Sequence, residues 1–224
     1  MSSGNSCKRT TQKRMRRRYF KMTVFVNDTF TDTNGVLLQN HTPAVGEIWV
    51  KRDTLPNADI QSNKAKSTSA TIVGGLYTNA VSPSVGYDIT CVLDVATPVS
   101  SDGMYLYGRF ADINNFYQVR VMHGTSWTLH KKVAGVLTLL HSAAPVAHTY
   151  PCTLKFEIRD ATKKVYKDGV EVLTSADNVL TSAGRPGLRI YTTRSTVDDF
   201  LADDQVAPPA ENAFMQPMRT WWPK

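Results

Sequence analysis

Gly86-Tyr87-Asp88-Ile89-Thr90-Cys91-Val92-Leu93-Asp94-Val95 decides the fold class of this chain. Tyr87, Ile89, Cys91, Leu93 and Val95 fall on one side of a period-two pattern, and Asp88, Thr90, Val92 and Asp94 on the other. Side chains alternate across a strand, so this spacing describes a strand with one face on a core. The same alternation recurs over residues 104–110, 116–122, 127–133, 136–140 and 153–159. Turn-forming stretches such as Ala111-Asp112-Ile113-Asn114 and His123-Gly124 divide these segments, as in a meander.

Downstream, Lys163-Lys164-Val165-Tyr166-Lys167-Asp168-Gly169-Val170-Glu171-Val172 reads as a hairpin. Asp-Gly supplies the positive φ angles of a tight two-residue turn, so Val165 and Tyr166 are expected to pair with residues 170–172. Ala183-Gly184-Arg185-Pro186-Gly187 reads as a rigid turn, followed by strands at 188–191 and 197–202. Upstream, residues 24–30 and 48–51 have strand character, 55–69 is a polar loop without periodicity, and 70–73 is a short strand. No amphipathic helix of ten residues occurs, and many short strands separated by turns predict an all-β, antiparallel two-sheet sandwich.

Hydrophobic residues make up 42% of the 224 and charged residues 20%, a balance that supports a packed core rather than a disordered chain. No run approaches the roughly 18 consecutive apolar residues of a membrane-spanning helix, so no membrane partner is expected. The formal charge of +7 is concentrated at one end: Lys8, Arg9, Lys13, Arg14, Arg16, Arg17, Arg18 and Lys21 contribute +8 with no acid among them, leaving −1 for the rest. The expected division is therefore a basic arm at 1–22, a sandwich at 23–204, and a Pro-rich linker with an aromatic tail at 205–224. Arg14, Arg16, Arg17 and Arg18 suit contact with nucleic-acid phosphates or an acidic protein surface. A disordered leader, or a true start at Met15 or Met22, accounts for them equally. Arg17-Arg18 resembles a twin-arginine export signal, but the apolar stretch after it turns polar within five residues.

Cys91 and Cys152 sit on the apolar side of strands, where cysteine packs as a small hydrophobe, and Cys7 lies in the arm. An odd count at wide spacing makes neither a disulfide framework nor a zinc site, and a reducing compartment is the simpler assumption. His41, His123, His130, His141 and His148 show no ligand spacing and receive no role.

The segment Asn27-Asp28-Thr29-Phe30-Thr31-Asp32-Thr33-Asn34-Gly35-Val36-Leu37-Leu38, with His41-Thr42-Pro43, Gly46 and Trp49, resembles the start of concanavalin A-like (laminin-G-like) jelly-roll domains of bacteriophage and bacterial surface proteins. Gly108-Arg109, Asn115-Phe116-Tyr117, Lys167-Asp168-Gly169, Ala183-Gly184, Gly187-Leu188 and Val197-Asp198-Asp199-Phe200 follow in that family's order. The resemblance covers residues 24–204. It implies a jelly-roll sandwich and leaves function open, because the fold hosts lectins, glycanases and structural modules alike.

A glycanase of this kind would need two carboxylates on either side of the scissile bond. The glutamates at 47, 157, 171 and 211 offer no such pair, and Glu157 with Asp160 would face opposite sides of a strand. Glu157 reads as solvent-facing between Phe156 and Ile158, and the chain is read as non-enzymatic. Tyr105, Tyr107 and Arg109 alternate with Met104, Leu106 and Phe110, and Tyr117 follows on the next strand; as a stripe on an open face they form a candidate glycan site, and as packing between sheets they are core. Asp28 and Asp32 near the first strand, with Asp198 and Asp199 near the last, are candidate Ca²⁺ ligands or turn caps.

Beyond Val206-Ala207-Pro208-Pro209-Ala210, the side chains of Phe214, Met215, Met218, Trp221 and Trp222 call for burial against the sandwich or a partner; Phe214, Met218, Trp221 and Trp222 are the expected docking residues. The leading expectation is a phage virion module, a capsid decoration or a head or tail appendage. It would dock through its ends onto capsid or tail proteins or a second copy of itself, with the sandwich touching host glycans. Nucleic acid enters only through the arm. A free-standing lectin-like module is the alternative, and a glycan hydrolase the third.

Overall fold

The computed structural model describes residues 23–70, 73–100, 102–145 and 149–204. Fifteen strands lie in order: β1 Thr23–Asp28, β2 Val50–Lys51, β3 Ala58–Ile60, β4 Ala65–Ser67, β5 Val73–Thr78, β6 Tyr87–Val95, β7 Gly103–Asp112, β8 Asn115–Met122, β9 Ser126–Val133, β10 Val136–Pro145, β11 Cys152–Ile158, β12 Lys163–Lys167, β13 Val170–Ser175, β14 Arg185–Tyr191 and β15 Ser195–Asp204. The sole helical element among the described residues is a 3₁₀ turn at Leu38–Asn40.

The strands form two antiparallel sheets. One has the order β13-β12-β11-β6-β15-β4-β3, with β1 also paired to β15; the other runs β10-β9-β8-β7-β14-β5-β2. Strands distant in sequence become neighbours, as when β6 takes β11 on one side and β15 on the other. This is the concanavalin A-like jelly roll.

The alternation decides which face packs. Tyr87, Ile89, Cys91, Leu93 and Val95 are all buried between the sheets, joined from β11 by Leu154, Phe156 and Ile158. The opposing sheet supplies Met104, Leu106, Val119, Val121, Trp127 and Leu129. Burial of this interior is the dominant stabilising term, about 1.5–3 kcal/mol for each large apolar side chain. Cys91 and Cys152 are free and buried, so both thiols are pushed up, Cys152 to about 11. Glu157 points outward, within 3.5 Å of Lys155 and 3.6 Å of Arg159.

The hairpin turns at Asp168-Gly169, with φ of 49° and 81°. Tyr166 faces Glu171, while a bulge moves Val165 on to Leu173. Three expectations need correction. Residues 55–69 are not a loop: β3 and β4 pair there, each too short to show a period. Of the strand placed at 70–73, Ala70 is a bend, residues 71 and 72 lie outside the described residues, and the described strand is Val73–Thr78. Arg185-Pro186-Gly187 opens β14 rather than forming a turn. The arm at 1–22 and the tail at 205–224, with Arg14, Arg16, Arg17, Arg18, Phe214, Met218, Trp221 and Trp222, lie outside the described residues. None of the described helical residues makes a helix long and apolar enough to cross a membrane.

Candidate functional site

The outer face of the seven-stranded sheet is built in rows set by strand register. Thr128, Arg120, Tyr105, Arg189 and Leu76 stand opposite one another across β9, β8, β7, β14 and β5. One step along, Leu139, His130, Gln118 and Tyr107 form a second row, and Leu137, Lys132 and Phe116 a third. Because side chains alternate, every second residue of these strands faces outward together.

Here β7 carries a bulge. Its register against β8 slips between Gly108 and Asp112, and Arg109 takes a φ of 46°. Gly108 faces inward so closely that an added Cβ would sit 2.2 Å from Ile158 Cδ1. The extra residue turns Arg109 inward and returns Phe110 to the outer face. Phe110 then stacks on Phe116 at 5.7 Å, and Tyr107 meets Phe116 edge-on at 5.2 Å. Leu76, Tyr107, Phe110 and Phe116, with Tyr105 against them, form an apolar cluster separate from the core.

Over this cluster opens a cleft of about 550 Å³ lined by Arg52, Asp53, Leu76, Tyr107, Phe116, Gln118, Lys132, Leu137 and Arg189, among others. Asp53 is its one carboxylate and is already engaged. It accepts hydrogen bonds from the backbone N–H groups of Leu76 at 3.1 Å and Leu55 at 3.3 Å, and pairs with the Arg189 guanidinium. Lys132 Nζ sits 5.6 Å from the Phe116 ring centre and donates to the Ile113 carbonyl at 2.7 Å. Burial and the Arg120 charge hold His130 below its ordinary value. Burial and the Arg185 charge likewise lower Arg52. The base of this cleft is almost closed, with Tyr107 2%, Phe116 6% and Gln118 8% exposed, so it offers ring edges and one amide together with several N–H donors, a mixture suited to the hydroxyl-studded, partly apolar surface of a sugar.

Of the four expected glycan residues, the structure brings Tyr105 and Tyr107 together on this face, with ring centres 6.3 Å apart. Tyr105 also shares a 2.8 Å hydrogen bond with the Tyr191 hydroxyl. Arg109 and Tyr117 are on the other side and are buried. Arg109 donates to the Val85 carbonyl at 2.7 and 2.9 Å and to that of Leu180, while Tyr117 donates to Asp177 at 2.6 Å. Both hold the segment before β14 in place, away from the cleft. The outward residues of β8 are instead Phe116, Gln118 and Arg120; taking Phe116 rather than Tyr117 as outward-facing would have found all three. Arg52 and Asp53 lie far from Arg189 in the chain, and nothing in local spacing links them.

The candidate Ca²⁺ ligands take other partners. β1 and β15 do pair, with Asp28 opposite Phe200. Asp28 accepts from the Phe30 N–H at 2.7 Å and from Trp49 Nε1 at 2.6 Å, and lies 2.9 Å from His41 Nε2. Asp32 lies 2.9 Å from His41 Nδ1. Asp198 is raised by burial, and the neighbouring charges of Asp199 and Asp28 add to the rise. Among the described residues no three of His, Cys, Asp and Glu converge on a metal position.

His41, given no role by its sequence context, is a pin between two carboxylates. Burial lowers its pKa, but Asp32 and Asp28 outweigh that and leave it raised. With a carboxylate at each ring nitrogen, the form that satisfies both is the imidazolium. A raised folded-state pKa means that its contribution is complete below the ordinary histidine value and is lost as pH rises through the raised one. Urea midpoints measured from pH 5.5 to 9 should therefore fall with rising pH more steeply in the native chain than in His41→Gln; parallel profiles would remove the pin.

No protein-family model matches the chain, and no curated protein matches it by sequence. Solved structures do match. The carbohydrate binding module CBM66 from Bacillus subtilis superposes with a TM-score of 0.59 at 16% identity, over 71% of this chain and 97% of that one. The exoplasmic/lumenal domain of VIP36, in a Ca²⁺- and mannose-bound form, gives 0.56 at 11% identity, over 77% and 87%. The β-glucanase of Bacillus licheniformis gives 0.52 at 12% identity, over 82% and 98%. At such identities the likeness establishes the fold.

Proposed function

We propose that this chain is a non-catalytic carbohydrate-binding module, with its site in the cleft on the outer face of the seven-stranded sheet. The observation that carries the reading is the conjunction, in one cleft, of the Tyr107/Phe116 aromatic floor with Gln118, Lys132, Arg52 and Arg189. Two of the similar folds support it, one described as a carbohydrate binding module and the other bound to mannose. The β-glucanase likeness does not argue for hydrolysis here. Two carboxylates must flank a scissile glycosidic bond, and the cleft's Asp53 is held by Arg189 and two backbone N–H groups. Carbohydrate binding thus takes precedence over virion docking, whose arm and tail lie outside the described residues.

A glycan array with the full chain tests the reading. Gln118→Ala and Lys132→Ala should each weaken binding of the best hit about tenfold, the scale of one lost charge-assisted or well-made hydrogen bond, with unfolding temperature unchanged. An array with no hit, or a hit indifferent to both substitutions, would place the function elsewhere.

A further inference from the structure

The strip beside the cleft is equipped for more than a neutral sugar. On the outer face of β8 and β9, Arg120 Nε, His130 Nδ1 and Thr128 Oγ1 are each shielded from solvent and have no hydrogen-bond partner among the described residues; Arg189 Nε, one strand beyond Tyr105, is in the same condition. Register places Arg120 directly opposite Thr128. His130, opposite Gln118, is the next outward residue on the same strand pair. Neighbouring strands are about 4.8 Å apart and successive same-face residues about 7 Å, so these groups surround one patch.

Arginine Nε–H is always a donor, and a buried donor left unmade carries a desolvation cost that only an acceptor relieves. The charge imbalance points the same way. Arg52, Lys132 and Arg189 line the cleft against Asp53 alone, Arg120 stands beside them, and yet the chain outside its first 21 residues carries a net charge of −1. On the other sheet, by contrast, Lys64 pairs with Asp94, Lys155 and Arg159 with Asp88, Lys164 with Glu171 and Lys167 with Asp168.

We propose that the glycan recognised here is acidic, its carboxylate or sulfate seated on Arg120 with Thr128 and His130 while the adjoining sugar lies over the Tyr107/Phe116 floor. The inference rests on the carbohydrate-binding reading and narrows it to a substrate class. A planar guanidinium pairs well with a carboxylate and also accepts a tetrahedral sulfate.

Affinity electrophoresis of the full chain at 150 mM salt supplies the test. The gels would contain polygalacturonate (carboxylate), dextran sulfate (sulfate), or dextran and pullulan as neutral polymers. Retardation is expected in an acidic polymer at least tenfold stronger than in the neutral ones, and which acidic polymer retards tells carboxylate from sulfate. Arg120→Gln should lower that affinity tenfold or more, while a full chain with Arg14, Arg16, Arg17 and Arg18 all changed to Gln should keep it. Retardation lost with the arm substitutions but kept in Arg120→Gln overturns the proposal, since the arm would then be the polyanion contact. Retardation by a neutral polymer with no acidic preference also overturns it and leaves the carbohydrate-binding reading standing; no retardation by any polymer, with an empty glycan array, removes both. An unchanged unfolding temperature in Arg120→Gln certifies the fold, and Arg120→Lys, which keeps charge but loses the planar fork, should recover only part of the affinity.

Discussion

Asp28→Ala should cost about 3–5 kcal/mol of folding stability, the range seen when one partner of a buried charge pair is deleted. Asp28 is almost wholly buried, and its two oxygens serve the Phe30 N–H, the Trp49 indole and His41. Those three partners are not incidental. Trp49 meets Phe200 edge-on at 5.0 Å and stacks with Phe30 at 6.1 Å, so the carboxylate locates the aromatic wedge that joins the segment after β1 to β15. Without it, the Trp49 indole N–H and His41 Nε2 are left buried and unmatched, with Asp32 holding only the other ring nitrogen. Urea unfolding followed by tryptophan fluorescence would measure the loss; a change under about 1 kcal/mol would show that the wedge stands on apolar packing alone. Asp28→Asn retains an acceptor and should fall between.

Lys163→Met is expected to destabilise by about 3 kcal/mol, through carbonyl groups left buried at about 1–3 kcal/mol each. Lys163 is fully buried, and its ammonium donates to the carbonyls of Arg159 at 2.8 Å, Asp160 at 3.2 Å and Asp177 at 2.8 Å. It also lies 4.7 Å from the centre of the Tyr117 ring, a cation–π contact. Burial and the Arg109 charge push it down to about 8, so the charged form still predominates at neutral pH. The geometry ties the turn after β11 to the segment before β14, beside the point where Arg109 and Tyr117 reach the same segment. For a domain of this size the loss corresponds to a melting temperature lower by roughly 6–12 °C. Scanning calorimetry decides it: an unshifted melt would mean that the three carbonyls find other donors and that the ammonium is a passenger.

The glycan-site residues illustrate how far a linear pattern reaches. Tyr105 and Tyr107 were legible because β7 alternates regularly up to Gly108. Arg109 and Tyr117 take the other use that the pattern left open, packing between the sheets, for one reason each. A single inserted residue reverses every later side chain on a strand, and nothing in Gly108-Arg109-Phe110 announces the insertion. On β8, Phe116 and Tyr117 are both aromatic and both suited to either face, so composition does not choose between them. Likewise β3 and β4, three residues each, are shorter than the smallest window in which a period can be seen.

What the residues settled unaided was local: Tyr87 to Val95 had to be a strand with its odd-numbered side buried, and Asp168-Gly169 had to reverse the chain, because alternation and φ preference act over a few neighbouring residues. Which strands became neighbours was decided only in three dimensions. Arg189 of β14, Tyr105 of β7, Arg120 of β8 and Thr128 of β9 form one row through hydrogen-bond register, and Asp53 reaches Arg189 from a loop more than a hundred residues earlier. Backbone pairing between distant segments carries no record in local spacing, so the cleft and its unmet donors exist only in the folded sheet.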